Sequence, residues 1–263
     1  MTAGTAPAIV AFGAVYAAVV GLCVGSFLNV VAWRLPRGES IVRPRSRCPH
    51  CSARIAALDN VPLFSFLVLR GRCRSCGEPI AWRYPAVEAA SGLLWLASWL
   101  VFGPTFDGLV AAVFCSLMLV LAIIDATHLL LPDPLTYGGI GLGLAASFVV
   151  GWTTPRNAVV GAAVGAGSLL LLIGLWYLLR RVRGMGLGDV KMLAAVGAFL
   201  GVGGTLLTLF LASLIGAVAG LLFLVRGRLG WSSRLPFGVF LAVGAVASLF
   251  FGARLIAAYT SLL

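Results

Sequence analysis

Apolar residues run along this chain in long, nearly uninterrupted blocks with neither the period-two alternation of strands nor the one-sided stripe of a surface helix. The first 33 residues contain no Asp, Glu, Lys or Arg. The block at 7–33 is too long for a signal-peptide core and lacks its basic start, so a retained first membrane helix is predicted. Spanning a bilayer takes about 20 mostly apolar residues. Further blocks at 84–102, 107–125, 134–152, 157–179 and 236–259 meet that length. The uncharged run at 192–225 is long for one span and short for two, and Gly201-Val202-Gly203-Gly204 in its middle predicts a break. Two helices, 189–200 and 205–225, then bring the number of spans to eight. The sizeable polar segment is 34–83, which divides the chain into a first helix (1–33), a polar loop (34–83) and a multi-helix membrane domain (84–263).

Composition supports lipid as the solvent. The chain is 61% hydrophobic and 10% charged, against about 45–50% and about 25% in average globular proteins. A soluble domain of this length leaves roughly a quarter of its unfolded surface exposed, too much for so apolar a chain. A soluble enzyme, a disordered tail and a secreted disulfide scaffold are thereby excluded. The 33 glycines suit helices that approach closely in lipid. The fold class expected is an all-α polytopic membrane protein with a small cytoplasmic loop domain.

The net charge of +11 reads as topology once the charges are located. Arg34, Arg37, Arg43, Arg45, Arg47, Arg54, Arg70, Arg72, Arg74 and Arg83 fall in the polar loop. With eight spans, Arg180, Arg181, Arg183, Lys191, Arg226, Arg228 and Arg234 share that side, leaving only Arg156 and Arg254 opposite, so 17 of the 19 basic residues are cytoplasmic. These clusters need no nucleic acid to explain them; anionic lipid headgroups suffice.

The polar loop contains Cys48-Pro-His-Cys51 and Cys73-Arg-Ser-Cys76-Gly. The C-x2-C-x21-C-x2-C pattern is close to the spacing of four-thiolate zinc sites, where each pair offers two sulfurs to one tetrahedral ion. A reducing compartment disfavours disulfides. Unliganded thiols or a redox pair are the competing readings. Four thiolates leave no position for a water, so the zinc would be structural. His50 is a bystander inside the first pair, and Cys23 and Cys115 are expected as buried small apolar residues.

Only eight residues are acidic, and ionisable groups within spans are candidates for function. Glu39, Asp59 and Glu78 are expected to be solvated in the loop. Asp107 and Asp133 are expected as helix N-caps, Asp133 with Pro134 at the first helical position. Glu88 is expected as a buried hydrogen-bond partner between helices, and Trp95 and Trp99 as packing residues or interfacial anchors. Asp125 ends the third span, and Asp189 begins the sixth within Gly184-Met-Gly186-Leu-Gly188-Asp189-Val-Lys191. The topology puts both at the cytoplasmic face at similar depth. A pair of partly desolvated carboxylates fits acid–base hydrolysis of a peptide bond. It equally fits a proton-coupled transporter, against which no inverted repeat is visible. Lys191 lies two residues from Asp189 and does not share its helix face.

The segment 184–191 resembles the GxGD signature of intramembrane aspartyl proteases. Ile124-Asp125 with Leu131-Pro132-Asp133 resembles the first-aspartate motif of type IV prepilin peptidases. Gly25-Ser-Phe-Leu-Asn29-Val-Val-Ala-Trp-Arg34-Leu-Pro36, both cysteine pairs, Tyr84-Pro-Ala-Val-Glu88-Ala-Ala-Ser-Gly92 and Pro236-Phe-Gly238 are similar to that family in the same order. The resemblance implies a bacterial inner-membrane endopeptidase that cuts type IV prepilins or pseudopilins after a glycine, serving pili, type II secretion or DNA uptake. It also implies N-methylation of the new amine from S-adenosyl-L-methionine, with Asp125 and Asp189 catalytic, Gly184, Gly186 and Gly188 as the active-site loop, and Cys48, Cys51, Cys73 and Cys76 as zinc ligands. No strand–glycine–helix signal locates the methyl donor.

Overall fold

The computed structural model describes residues 7–43, 45–181, 186–226 and 235–261. Among these residues the fold is all-α, with no strand beyond two isolated bridges, Arg47 with Arg54 and Arg72 with Pro79. The helices are α1 (Pro7–Arg34), α2 (Phe64–Val68), α3 (Arg83–Phe102), α4 (Phe106–His128), α5 (Asp133–Ala146), α6 (Pro155–Arg180), α7 (Leu187–Val225) and α8 (Phe237–Thr260). All but α2 and α5 are long and apolar enough to cross a membrane. The chain forms two compact units, Met1–Val120 and Leu121–Leu263, and the division falls within α4.

In the first unit α1 and α3 pack antiparallel through a ladder of small residues. Gly13, Ala17, Gly21 and Gly25 recur every fourth position, which lines them along one face of α1. A Cβ at Gly13 would overlap the Trp99 ring, one at Gly21 would lie 2.6 Å from Trp95 Cβ, and one at Gly25 would lie 2.8 Å from Glu88 Cα. The end of the ladder nearer the polar loop is closed by Asn29, whose Nδ2 donates to the Tyr84 carbonyl (3.2 Å). Trp95 also donates to Ser116 Oγ on α4 (2.9 Å). Trp95 and Trp99 are thus packing residues, as expected. Cys115 is fully buried, whereas Cys23 is exposed, because it lies off the glycine face of α1. The cap of α4 comes from Thr105, whose Oγ1 accepts the Gly108 N–H (3.2 Å), while Asp107 sits in the first helical turn.

In the second unit α7 is bordered by α5, α6 and α8. The break predicted within Gly201-Val202-Gly203-Gly204 is confined to Gly201, with φ 69° and ψ −173°, and α7 is helical on both sides. Asn157 of α6 fills the break. Its Oδ1 accepts the Val202 N–H (3.3 Å), and its Nδ2 donates to Thr153 Oγ1 (3.2 Å). Trp152 Nε1 donates to the Phe199 carbonyl just before the break (2.9 Å). These bonds satisfy backbone groups that the interruption frees, as hydrocarbon requires. They also explain why the run predicted as a span at 134–152 is shorter. Helix α5 ends at Ala146 after 14 residues, about 21 Å of helix, and the chain beyond it turns back to serve the break in α7. On the N-terminal side of the break, Gly161 and Gly197 face each other at backbone distance, and a Cβ at Gly165 would lie 2.5 Å from the Leu193 carbonyl.

Gly201→Ala places a side chain on Asn157 and in backbone space open essentially to glycine only, a cost of about 1–3 kcal/mol before the overlap is counted. Thermal unfolding in detergent should show a clear loss. Gly167→Ala, with no atom within 4 Å of its Cβ, should be neutral or mildly stabilising. Equal effects from the two substitutions would contradict this account of the break.

Candidate active site and metal centre

Asp125 lies in the last turn of α4 and Asp189 in the first turn of α7. The structure brings the two carboxyl groups within electrostatic reach of one another. Asp125 is buried, at 5% exposure, and its Oδ2 has no hydrogen-bond partner among the described residues. Asp189 is half-buried. Their meeting requires the 129–132 connection to fold back from α4, and Leu129 makes that turn at φ 50°.

Three contacts fix the pair. Leu131, buried in the connection, lies against Gly188, where a Cβ would come 3.0 Å from Leu131 Cβ. Lys191 Nζ meets Asp133 Oδ1 at 2.6 Å and lies 4.9 Å from the Tyr137 ring. Gly238, at the start of α8, is so close to Asp125 that a Cβ would lie 2.8 Å from Oδ2, and the Gly238 and Val239 N–H groups neighbour the carboxylate. The helix N-terminus therefore presents positive dipole to an otherwise unpaired oxygen. Asp133 corrects an expectation: it is the first residue of α5, makes no capping bond, and spends its carboxylate on Lys191. Sequence reasoning missed this ion pair and the role of Gly238. The available signal was that Asp133 and Lys191 follow the two aspartates closely, and that Pro236-Phe-Gly238 opens an apolar helix. Gly184 lies outside the described residues. Gly186 is exposed, and the nearest atoms to a Cβ there are Asp189 Oδ2 and Gly188 N, both at 3.8 Å.

The polar loop builds two matching turns. In the first, Cys48 N–H bonds the Ala53 carbonyl (2.9 Å) and Ser52 N–H the Cys48 carbonyl (2.9 Å); in the second, Cys73 N–H bonds Glu78 (2.8 Å) and Gly77 N–H bonds Cys73 (2.9 Å). Ser52 and Gly77 occupy the same left-handed position, at φ 58° and 74°. The four sulfurs converge within 4.8 Å of one another, with Cys48 and Cys76 3.9 Å apart. Tetrahedral thiolates at about 2.3 Å from an ion would be about 3.8 Å apart, so the set fits a four-thiolate metal. Backbone N–H groups of Cys76 and Ser75 stabilise the Cys73 thiolate and bring its pKa down to about 6, a state suited to metal binding. His50 is exposed beside the cluster.

The loop acids divide. Glu39 and Glu78 are exposed. Asp59, expected to be solvated, instead takes a two-pronged contact from Arg74 at 2.7 and 2.8 Å, which holds its carboxyl below the usual range and ties the second turn to residues 57–60. Glu88 bridges no helices: its Oε2 accepts the Leu63 N–H from the loop (2.9 Å).

Comparison with known proteins covers both units. Residues 19–102 match the bacterial peptidase A24 N-terminal domain, and residues 112–221 match the type IV leader peptidase family. The prepilin leader peptidase/N-methyltransferase of Burkholderia pseudomallei strain 1026b is 40% identical over 262 residues, covering 90% of this chain and 85% of that protein. The protein of the same name from Myxococcus xanthus is 47% identical over 220 residues, 82% of this chain and 65% of its own length. That from Neisseria gonorrhoeae is 37% identical, covering 82% of this chain and 85% of its own length. No solved structure matches. On this evidence the chain is a multi-pass membrane protein that belongs to the type IV leader peptidase family.

Proposed function

We propose that this chain removes the leader peptides of type IV prepilins or pseudopilins at the cytoplasmic face of the bacterial inner membrane, with Asp125 and Asp189 as the catalytic pair. It then methylates the exposed amine from S-adenosylmethionine. The observation that carries the peptidase half is the meeting of two helix-end carboxylates, one of them buried with an unpartnered oxygen. The similar proteins named above carry both activities in their names, and none of those names describes a transporter.

A facing pair of carboxylates works with one proton between them. The ionised member takes a proton from a water whose oxygen bonds to the scissile carbonyl carbon. The protonated member gives its proton to the carbonyl oxygen. When the C–N bond breaks, its electron pair and a proton go to nitrogen, leaving a free amine and a carboxylic acid. Gly186 keeps the approach to Asp189 free of a side chain, as an extended substrate backbone needs, while Gly188 makes room for Leu131. Gly238 and the Lys191–Asp133 pair act as positioning groups. In the methylation, the amine lone pair bonds to the donor's methyl carbon, the C–S pair stays on sulfur, and a proton leaves to water. Cys48, Cys51, Cys73 and Cys76 would hold a structural zinc that closes the loop on itself.

Asp125→Asn and Asp189→Asn should each lower leader cleavage by at least about a hundredfold, while the detergent-solubilised variants keep the wild-type melting temperature. Mass spectrometry of a prepilin incubated with each enzyme reads the loss, and normal processing by either variant would sink the assignment.

For the metal, purified wild type should contain about one zinc per chain, lost on Cys48→Ser with Cys76→Ser. Ser52→Gly relieves the left-handed strain that Gly77 avoids in the matching turn, and should raise the zinc-loaded protein's resistance to chelator. Zinc-free wild type, purified without chelator, would exclude the site.

A further inference from the structure

Between its two cysteine turns the loop carries Val61-Pro-Leu-Phe-Ser-Phe-Leu-Val-Leu69, a run with no charge and a single polar side chain. It is too short to cross a bilayer. We infer that this run is a membrane-inserted foot. The outer face of α2 lies in the lipid interface of the leaflet where α1 ends and α3 begins, with Arg70 and Arg72 at the headgroups.

The residues of α2 and its ends divide between two faces. Leu63, Ser65, Phe66 and Leu69 line a cavity of about 930 Å³ over Asn29 and Glu88. Phe64, Leu67 and Val68 do not line it. They recur at the i, i+3, i+4 spacing of one helix face and are 63%, 72% and 58% exposed. A contiguous apolar face of this kind marks a contact surface.

Two neighbouring helices set its depth. The Leu63 N–H donates to Glu88 Oε2 (2.9 Å), and Glu88 lies about 7.5 Å along α3 from its start at Arg83. The Phe66 ring packs on Trp82, the residue before α3, with centroids 4.9 Å apart. On the other side, Asn60 and Pro62 share a groove with Phe27 and Val30 of α1, about 10 and 6 Å before that helix ends at Arg34. Both α1 and α3 are long and apolar enough to span a membrane. The foot therefore stands beside the end turns of two spans, not above them in water.

The local chemistry suits lipid. Ser65 is buried, donates to the Leu58 carbonyl (2.8 Å) and accepts the Val61 N–H (3.0 Å), so its hydroxyl is satisfied within the chain, as hydrocarbon requires. Arg70 and Arg72 follow the apolar face and are exposed, and Trp82 is exposed at the start of α3. Arginines attract anionic headgroups, and tryptophan favours the same interface. A basic peptide is a poor alternative occupant: the arginines repel it, and no acidic residue lies between Asp59 and Glu78 to receive it.

The test uses the full chain in nanodiscs of phosphatidylethanolamine and phosphatidylglycerol. In hydroxyl-radical footprinting of the wild type, Phe64 and Leu67 should be oxidised about tenfold more slowly than the free amino acids, since radicals reach them from water only. Their protection should match that of Phe12, which is 73% exposed within the α1 span, while His50 in the same loop is oxidised readily. Leu67→p-benzoylphenylalanine, or Phe64→p-benzoylphenylalanine should the first fail to fold, then identifies the cover on irradiation, at an unchanged melting temperature. A phospholipid adduct is expected. Oxidation of Phe64 and Leu67 at the rate of the free amino acids would place the face in water and overturn the inference. So would adducts to protein alone, whether a second copy or an added prepilin, or the lack of a lipid adduct from either variant.

Discussion

Direct contact between helix backbones is the constraint on which the rest of this structure depends. In hydrocarbon, burying a leucine against another helix gains little over leaving it in lipid, so helices associate through close packing instead. Here Gly161 and Gly197 bring α6 and α7 to carbonyl distance, Gly21 and Gly25 bring α1 against the α3 backbone, and Gly13 makes room for the Trp99 ring. Both sets of contacts determine what the helix ends carry. The α1–α3 ladder delivers Asn29 to Tyr84 and sets Glu88 beneath the loop. The α6–α7 contact anchors the helix whose first turn holds Asp189.

The scarcity of acids gives each a defined place. Asp59 is committed to Arg74 and Asp133 to Lys191. Asp125 is pressed against backbone N–H groups of α8, and Glu88 accepts a loop N–H. Ions of opposite sign that stand side by side at an interface cost less than either alone, so the Asp133–Lys191 pair can tie α5 to α7 without burdening the fold. It also fixes two segments that leave directly from the two aspartates. The proposed catalytic pair is thus positioned by neighbours that do no chemistry of their own.

The loop solves a different problem. Among the described residues between α1 and α3 only Cys48 and Ser65 are buried, so the loop has no apolar core, and the two matching cysteine turns stand in its place. Each turn is closed by the same two backbone bonds, and the four sulfurs lie close enough for a single tetrahedral ion to satisfy both. The same loop covers the cavity over Asn29 and Glu88, so the stability of the cysteine cluster and the shape of that cavity are linked.

Much of this was legible in the chain itself. The all-α class, the helix break at Gly201, the four-cysteine pattern and the candidacy of Asp125 and Asp189 follow from local composition and short-range spacing, which survive in any fold the chain adopts. The contacts that give those residues their environment did not. Gly238 against Asp125, Lys191 against Asp133, Glu88 on Leu63 and Asn157 in the α7 break join residues tens of positions apart, and the early end of α5 follows from one of them. Such pairings depend on how helices cross, and the crossings are set by where glycines on two different helices happen to meet, which the sequence of either helix alone does not specify.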